Sequence, residues 1–222
     1  MVGLEDYLKV IYVLSHVSND PVRTSDIAQK MAITRGAVTL MVKKLADKGF
    51  LNYSRYQGVE LTKKGAVLGH SMLRRHRLIE LYLHQKLDVS SDAVHVEAEA
   101  LEHAVSDYLI DKIDVALDYP KFDPHGDPIP QKDGSFPSHK DVKKLADCKQ
   151  DEFGRIVRLS CDDQSFLKYL QSYNIQLNQR IKIKQCYSFD QSIDVMVNKK
   201  QHHLTSFDSQ HIWVVPIKKG ES

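Results

Sequence analysis

The sequence predicts a mainly α fold that ends in a β domain, and three observations carry the prediction. Up to residue 118, apolar residues recur three and four apart, the spacing of helices that bury one face. From residue 151 the pattern changes to short runs that alternate apolar and polar, as strands do. Between these parts, Pro120, Pro124, Gly126, Pro128, Pro130 and Gly134 exclude regular structure over residues 119–137.

The elements follow in order. Leu4, Leu8, Ile11, Tyr12 and Leu14 place an amphipathic helix over residues 4–17, and Asn19-Asp20-Pro21 breaks it. Thr24 or Ser25 can cap a second helix, which runs to Met31 with Ile27, Ala28 and Met31 inward. After a tight turn over 32–34, a third helix spans 35–48. Val38, Met41, Val42 and Leu45 face inward, and Gly49 is its stop. Two β-leaning runs flank Gln57-Gly58, which suggests a hairpin. Helix, helix, tight turn, helix, hairpin is the layout of a winged helix-turn-helix, whose third helix enters the DNA major groove. The outward face of that helix offers Arg35, Gly36, Thr39 and Lys43 to base edges. Lys44, Lys48, Arg55 and Lys63 suit phosphates, which position a protein without specifying sequence.

A long helix over 62–87 carries Arg74-Arg75-His76-Arg77, and His76 and Glu80 share one of its faces. Residues 88–118 supply two more helices. In the second of them, Tyr108, Leu109, Ile113, Val115 and Leu117 are apolar enough to pack against a partner subunit. Residues 138–150 read as a polar linker. Runs at 155–159, 180–183, 192–197 and 211–217, with a helix around 164–172, suggest a small barrel.

Composition narrows the class. Of 222 residues, 42% are apolar and 27% charged, as in ordinary globular chains. No apolar run is long enough to cross a bilayer, so no membrane partner is expected. Glu5, Asp6 and Lys9 interrupt the apolar pattern of the first residues, unlike a signal peptide. Cys148, Cys161 and Cys186 are too widely spaced for a zinc or disulfide framework, so a cytoplasmic protein is expected. Charge is uneven: residues 1–70 hold ten Lys/Arg against six Asp/Glu, whereas residues 88–118 hold nine Asp/Glu and Lys112 alone. The basic head suits a polyanion and the acidic middle suits cations.

The densest chemistry lies in His95-Val96-Glu97-Ala98-Glu99-Ala100-Leu101-Glu102-His103. At about 100° per residue, a helix would gather His95, Glu99, Glu102 and His103 on one narrow stripe. Val94, Ala98, Leu101 and Val105 would form an apolar stripe beside it, and Glu97 would point to solvent. Carboxylates crowded beside imidazoles call for a neutralising cation or proton, and their oxygen and nitrogen donors suit a divalent metal. The domains expected are therefore a winged helix-turn-helix DNA-binding domain (1–70), a helical metal-binding and dimerisation domain (71–137), a linker (138–150) and a β domain (151–222).

Four segments together resemble the diphtheria-toxin-repressor family of metal-dependent transcriptional repressors. They are Glu5-Asp6-Tyr7-Leu8-Lys9-Val10-Ile11-Tyr12, Arg75-His76-Arg77-Leu78-Ile79-Glu80, the glutamate/histidine stripe continued through Ser106-Asp107, and Pro124-His125-Gly126-Asp127-Pro128-Ile129-Pro130. The resemblance covers most of the chain and implies that the C-terminal barrel is SH3-like. It implies a first metal site from Asp6, Glu99, Glu102 and His103, with His76 nearby. Hard oxygen donors stand at Asp6 and Glu99, as in manganese-sensing members, where iron-sensing members carry Met and Cys. For a second site the resemblance offers two sets. One is His76, Glu80 and His95 with barrel side chains; the other is Glu80, Asp123 and His125 with a barrel carboxylate, Asp162 in preference to Asp163. Lys9 stands where two-domain manganese repressors carry a glutamate, a departure from their paired-metal site.

The expectation is thus a homodimeric, Mn²⁺-activated repressor of metal-uptake genes that binds a palindromic operator and is not an enzyme. Fe²⁺ sensing on the same fold is the alternative, and other divalent metals should substitute in vitro. A manganese-dependent hydrolase would need a positioned water and a general base that no motif supplies. A winged-helix regulator answering to a small organic ligand would instead show metal-free, ligand-sensitive DNA binding.

Overall fold

The computed structural model describes residues 3–16, 20–54, 57–90, 93–160 and 164–218. The head begins with α1 (Leu4–Ser15), α2 (Thr24–Lys30) and α3 (Arg35–Asp47). β1 (Leu51–Ser54) and β2 (Gly58–Leu61) then pair antiparallel, with Leu51 opposite Leu61. Leu8, Ile11, Ile27, Val38, Val42 and Leu45 are fully buried between the helices. Each contributes about 1.5–3 kcal/mol of transfer free energy. The Thr34 side chain caps α3 by accepting from Ala37 N, and Gly49 follows its end at φ 75°, where only glycine sits without strain. Thr24 does not cap α2 but begins it; the cap position is Arg23, which makes no side-chain bond there.

α4 (Lys63–Leu87) is one uninterrupted helix, capped by Thr62 through Gly65 N at 3.1 Å. It runs through residue 70, so the boundary expected there falls inside a shared helix. α1 lies directly against it at Gly69, where a Cβ would come within 2.6 Å of Leu8 O and 2.8 Å of the Tyr12 Cβ. The absent side chain therefore sets the distance between α1 and α4.

α5 (Val94–Leu101) and α6 (Asp107–Ala116) pack on α4 around Leu78, Ile79, Leu81, Val94, Ala98, Ile110 and Ile113. Ile113 thus serves the core rather than a partner face, and Leu117 is half-buried. Tyr108, Leu109 and Val115 are exposed, as are Val96 and Leu101. The segment 119–137 holds no helix or strand, only an isolated bridge between Phe122 and Pro128. Arg74 anchors it, donating to Pro130 O at 2.7 Å and to Asp114 Oδ2 at 2.5 Å.

The C-terminal domain is a six-stranded antiparallel sheet in the order β3 (Lys143–Lys144), β8 (Ile212–Pro216), β4 (Phe153–Leu159), β5 (Arg180–Cys186), β6 (Ile193–Val197), β7 (Lys200–Leu204). α7 (Gln164–Ser172) and α8 (Ser206–His211) complete it. Bulges at Ile156/Arg158 and Ile183/Gln185 bend the sheet around one apolar core. The linker expected over 138–150 is corrected in its second half. Lys143 and Lys144 pair with β8, and Leu145 is fully buried in the domain core. Their polar neighbours hid a single well-placed leucine. β7 and α8 were also not foreseen, because Lys200-Gln201-His202-His203-Leu204 is too polar to read as a strand.

The sheet docks on the proline-rich loop. At Gly126 (φ 84°) a Cβ would lie 2.0 Å from Val157 O, so only glycine permits this approach. Leu159 N donates to His125 O at 2.9 Å, and Arg158 pairs with Asp127 at 2.5 Å.

Candidate metal centre and nucleic-acid interface

The donors reach one region from four segments. α1 presents Asp6 and Lys9, one turn apart and both buried. α4 presents His76 and Glu80, also one turn apart and buried. α5 carries His95 and Glu99, but it ends at Leu101, so His103 sits in the following turn and not on the helix as expected. Glu102 keeps helical backbone angles (φ −57°, ψ −29°), which is why the stripe survives the helix end.

Three overlapping groups result among the described residues, His76, Glu99 and Glu102 forming one of them, and the other two share no residue. In the first, His76, Glu80 and His95 converge: His76 Nε2 lies 3.1 Å from Glu80 Oε1 and 3.1 Å from His95 Nδ1, and His95 Nδ1 lies 3.0 Å from Glu80 Oε1. In the second, Asp6, Glu102 and His103 converge, with His103 Nε2 2.8 Å from Asp6 Oδ1 and 3.5 Å from Glu102 Oε1. Asp6 Oδ2 accepts from Gly3 N at 2.6 Å. Asp6 Oδ1 is buried with no further hydrogen-bond partner, and its neighbour is the His103 ring nitrogen in an ion-pair contact. A buried carboxylate oxygen whose neighbour is an imidazole nitrogen fits a shared cation. Both sets combine carboxylate oxygen with imidazole nitrogen and contain no sulfur, so the residues present fit a divalent ion.

His76 stands between the clusters, its Nδ1 2.7 Å from Glu102 Oε2. Burial opposes its charge, but Glu102 and Glu80 outweigh burial and raise its pKa to about 9. Burial likewise raises Glu80 and Glu102, yet His76 and His95 hold Glu80 low, and His76 and Lys9 hold Glu102 low. Burial works against the Lys9 ammonium, and Glu102 and Glu99 overcome it, so its pKa is raised. His103 is raised by Glu5, Asp6 and Glu102 against a burial penalty.

A cavity of about 330 Å³ opens beside these residues, with His76, Glu80 and His95 on one wall and Asp123, His125 and Arg158 on another. Asp123 and His125 therefore face the site but do not join the Glu80 cluster. Asp123 Oδ1 holds its own loop, accepting from His125 N at 2.8 Å and Asp127 N at 2.9 Å, while Oδ2 lies 3.5 Å from Arg77 Nε. Burial lowers the His125 pKa, which keeps that imidazole neutral. Asp162, Asp163 and Arg55 lie outside the described residues.

On the head, Arg35, Gly36, Lys43 and Lys44 are exposed along α3, as expected. Thr39 is half-buried and donates its hydroxyl to Arg35 O at 2.9 Å, so that donor is already engaged within the helix. Leu40 on the same helix is 74% exposed, an apolar side chain on this basic face. Lys9 was recognised only as a departure, and its ion pairs with Glu99 and Glu102 needed the fold to be seen.

A winged helix-turn-helix head, joined to a helical body through carboxylate–imidazole clusters, defines the class of metal-dependent DNA-binding regulators. Comparison with known proteins agrees. Residues 2–59 match the iron dependent repressor N-terminal DNA binding domain, residues 62–131 match the iron dependent repressor metal binding and dimerisation domain, and residues 143–216 match the FeoA domain. The chain is 35% identical over 117 residues to the HTH-type transcriptional regulator MntR of Bacillus subtilis, covering 53% of this chain and 81% of that protein. It superposes on a manganese-dependent transcriptional repressor in complex with manganese at a TM-score of 0.88 and 36% identity, covering 97% of this chain and 100% of that one. The manganese regulator SloR gives a TM-score of 0.83 at 32% identity, covering 98% and 100%. The chain belongs to the diphtheria-toxin-repressor (iron-dependent repressor) family and is a metal-dependent DNA-binding transcriptional repressor.

Proposed function

We propose that this protein is a homodimeric, Mn²⁺-activated repressor of metal-uptake genes that acts in the cytoplasm on a palindromic operator. The observation that carries the reading is the convergence of Asp6 from the head with Glu102 and His103 from the body. Bound between them, a divalent cation would neutralise the carboxylates and tie α1 to the turn after α5. His76, Glu80 and His95 would hold a second ion. The chain's own part is positional. Gly69 sets α1 against α4, and Gly3 N orients the Asp6 carboxylate. The exposed side chains Val96, Leu101, Tyr108, Leu109 and Val115 supply an apolar face for the second subunit, as in a two-fold interface. Two heads held at one spacing then match two half-sites.

Oxygen and nitrogen donors without sulfur favour Mn²⁺ over softer metals as the physiological choice, and the relatives named for manganese support it. The same donors accept Fe²⁺, so operator binding at matched free Mn²⁺ and Fe²⁺ is the discriminating measurement. With purified dimer and operator DNA selected in vitro, binding should tighten on adding Mn²⁺ and relax with chelator. Equal affinity in both conditions would end this reading. Binding should also weaken steeply with salt, because phosphate contacts dominate.

A further inference from the structure

The C-terminal sheet sorts its charges by face. In β5, Ile181 and Ile183 are fully buried in the domain core, so Arg180, Lys182 and Lys184 stand on the outer face. In β4, Ile156 is buried, and the bulge at Ile156/Arg158 leaves both Arg155 and Arg158 outward. Every Lys and Arg of these two strands therefore lies on one face. Lys144 joins them from β3, opposite Trp213 of β8. Asp194, the outward carboxylate of β6, lies towards the far edge and is held by His203 at 2.7 Å. Arg158 pairs with Asp127 at 2.5 Å and Lys182 with Asp151 at 2.9 Å, whereas Lys144, Arg180 and Lys184 have no ion-pair partner among the described residues. Arg155 stands directly opposite Arg180 in the β4–β5 register, and like charges so placed are destabilising. Cations also cover the aromatic rings of this face. Arg158 and Lys144 lie 5.2 and 5.4 Å from the Trp213 ring centre, and Arg180 and Lys182 lie 4.6 and 5.4 Å from that of Phe153.

We propose that the outer face of the C-terminal sheet is a second DNA-binding surface, which takes the phosphate backbone of duplex flanking the operator without reading its bases. Phosphates would relieve the repulsion between Arg155 and Arg180 and answer the unpaired charges of Lys144 and Lys184. The covered rings leave no open platform on which unpaired bases could stack, so a duplex backbone fits better than a single strand. A protein partner would draw on the same rings as anchors, whereas a polyanion needs only the charge. Placement agrees. Arg158, at the margin of the face, lines the 330 Å³ cavity together with Lys30 and Met31 at the end of α2. That helix is the first of the helix-turn-helix, the one that crosses the DNA backbone. Contacts of this kind add affinity and position but no sequence choice.

The inference rests on operator binding through α3, and the test separates the two. Full-length protein with saturating Mn²⁺ is titrated with two duplexes. One is an operator selected in vitro and trimmed to the footprint of the heads; the other carries about 10 further base pairs on each side, one helical turn. The extended duplex should bind about 3–10-fold tighter, with a salt slope steeper by about 2–3 for two or three added phosphate contacts. It should also shift the fluorescence of Trp213, the chain's single tryptophan, more than the trimmed duplex does. Arg180→Gln combined with Lys184→Gln should erase all three differences and bind the trimmed duplex as wild type does, which also shows that the variant is folded. Equal affinity, equal slope and an equal Trp213 signal on the two wild-type titrations would overturn the proposal, and they decide even if the variant does not fold. A folded variant that keeps the wild-type preference for the extended duplex would overturn it too. A Trp213 shift that follows protein concentration without DNA would assign the face to a second copy instead. Wild type that fails to bind the trimmed operator would overturn the proposed function.

Discussion

The two candidate clusters are made of the same donor types, yet they sit differently in the molecule. His76, Glu80 and His95 come from α4 and α5, two helices of one packed body. Asp6, Glu102 and His103 come from α1 and from the turn that follows α5, so that set joins the head to the body. The first can be filled without moving the head. The second cannot close unless α1 lies where it does. Allosteric coupling needs a ligand that tells two arrangements apart, and only the bridging cluster has that property by construction.

Asp6→Ala should therefore have the largest effect. It removes the donor that α1 supplies to that cluster and should abolish a Mn²⁺-dependent gain in operator affinity on the order of 10–100-fold. Fluorescence anisotropy at fixed salt reads this; a gain within twofold of wild type would erase the distinction between the clusters. Gly69→Ala should come next. Its Cβ would press on Leu8 O and Tyr12, at a cost of about 1–3 kcal/mol, seen as a lower melting temperature and a weaker metal response together. A melting temperature unchanged by the substitution would show that α1 is free to shift.

His95→Ala should matter less. It should lower metal content at the α4–α5 cluster while reducing operator binding by no more than about 5-fold. A loss as large as that of Asp6→Ala would mean that both clusters transmit. The smallest effect is on pH dependence without metal. The folded His76 pKa, about 9, lies above its ordinary value of 6.5. The stabilisation from its pairing is complete below about 6.5 and fades as pH rises through about 9. Thermal melts in chelator should show that decline, and His76→Gln should flatten it.

Two ways of joining domains also contrast. The head shares α4 with the body, whereas the β domain meets the body through Gly126, Asp127 and Arg158 at a loop surface. That second junction has no helical periodicity to announce it. Gly126 and Asp127 were legible as part of a family-like motif, but not as a docking point, because the strand they meet is some thirty residues further on.

Local pattern determined much of this protein on its own. The three helices and hairpin of the head, the long α4, the break at 119–137 and the strand runs after 151 all follow from spacing, capping and turn residues that act within a few positions. The identity of the donors was equally plain, because a helical stripe of glutamate and histidine is a one-dimensional signal. Tertiary structure decided the rest. It placed His76 with Glu80 and His95, set Asp123 to hold its own loop, drew Leu145 into the sheet core and buried Lys9 between Glu99 and Glu102. Those outcomes depend on which faces meet across ninety or more residues of chain in the case of Lys9, and packing distance, not sequence spacing, selects among the donors that are available.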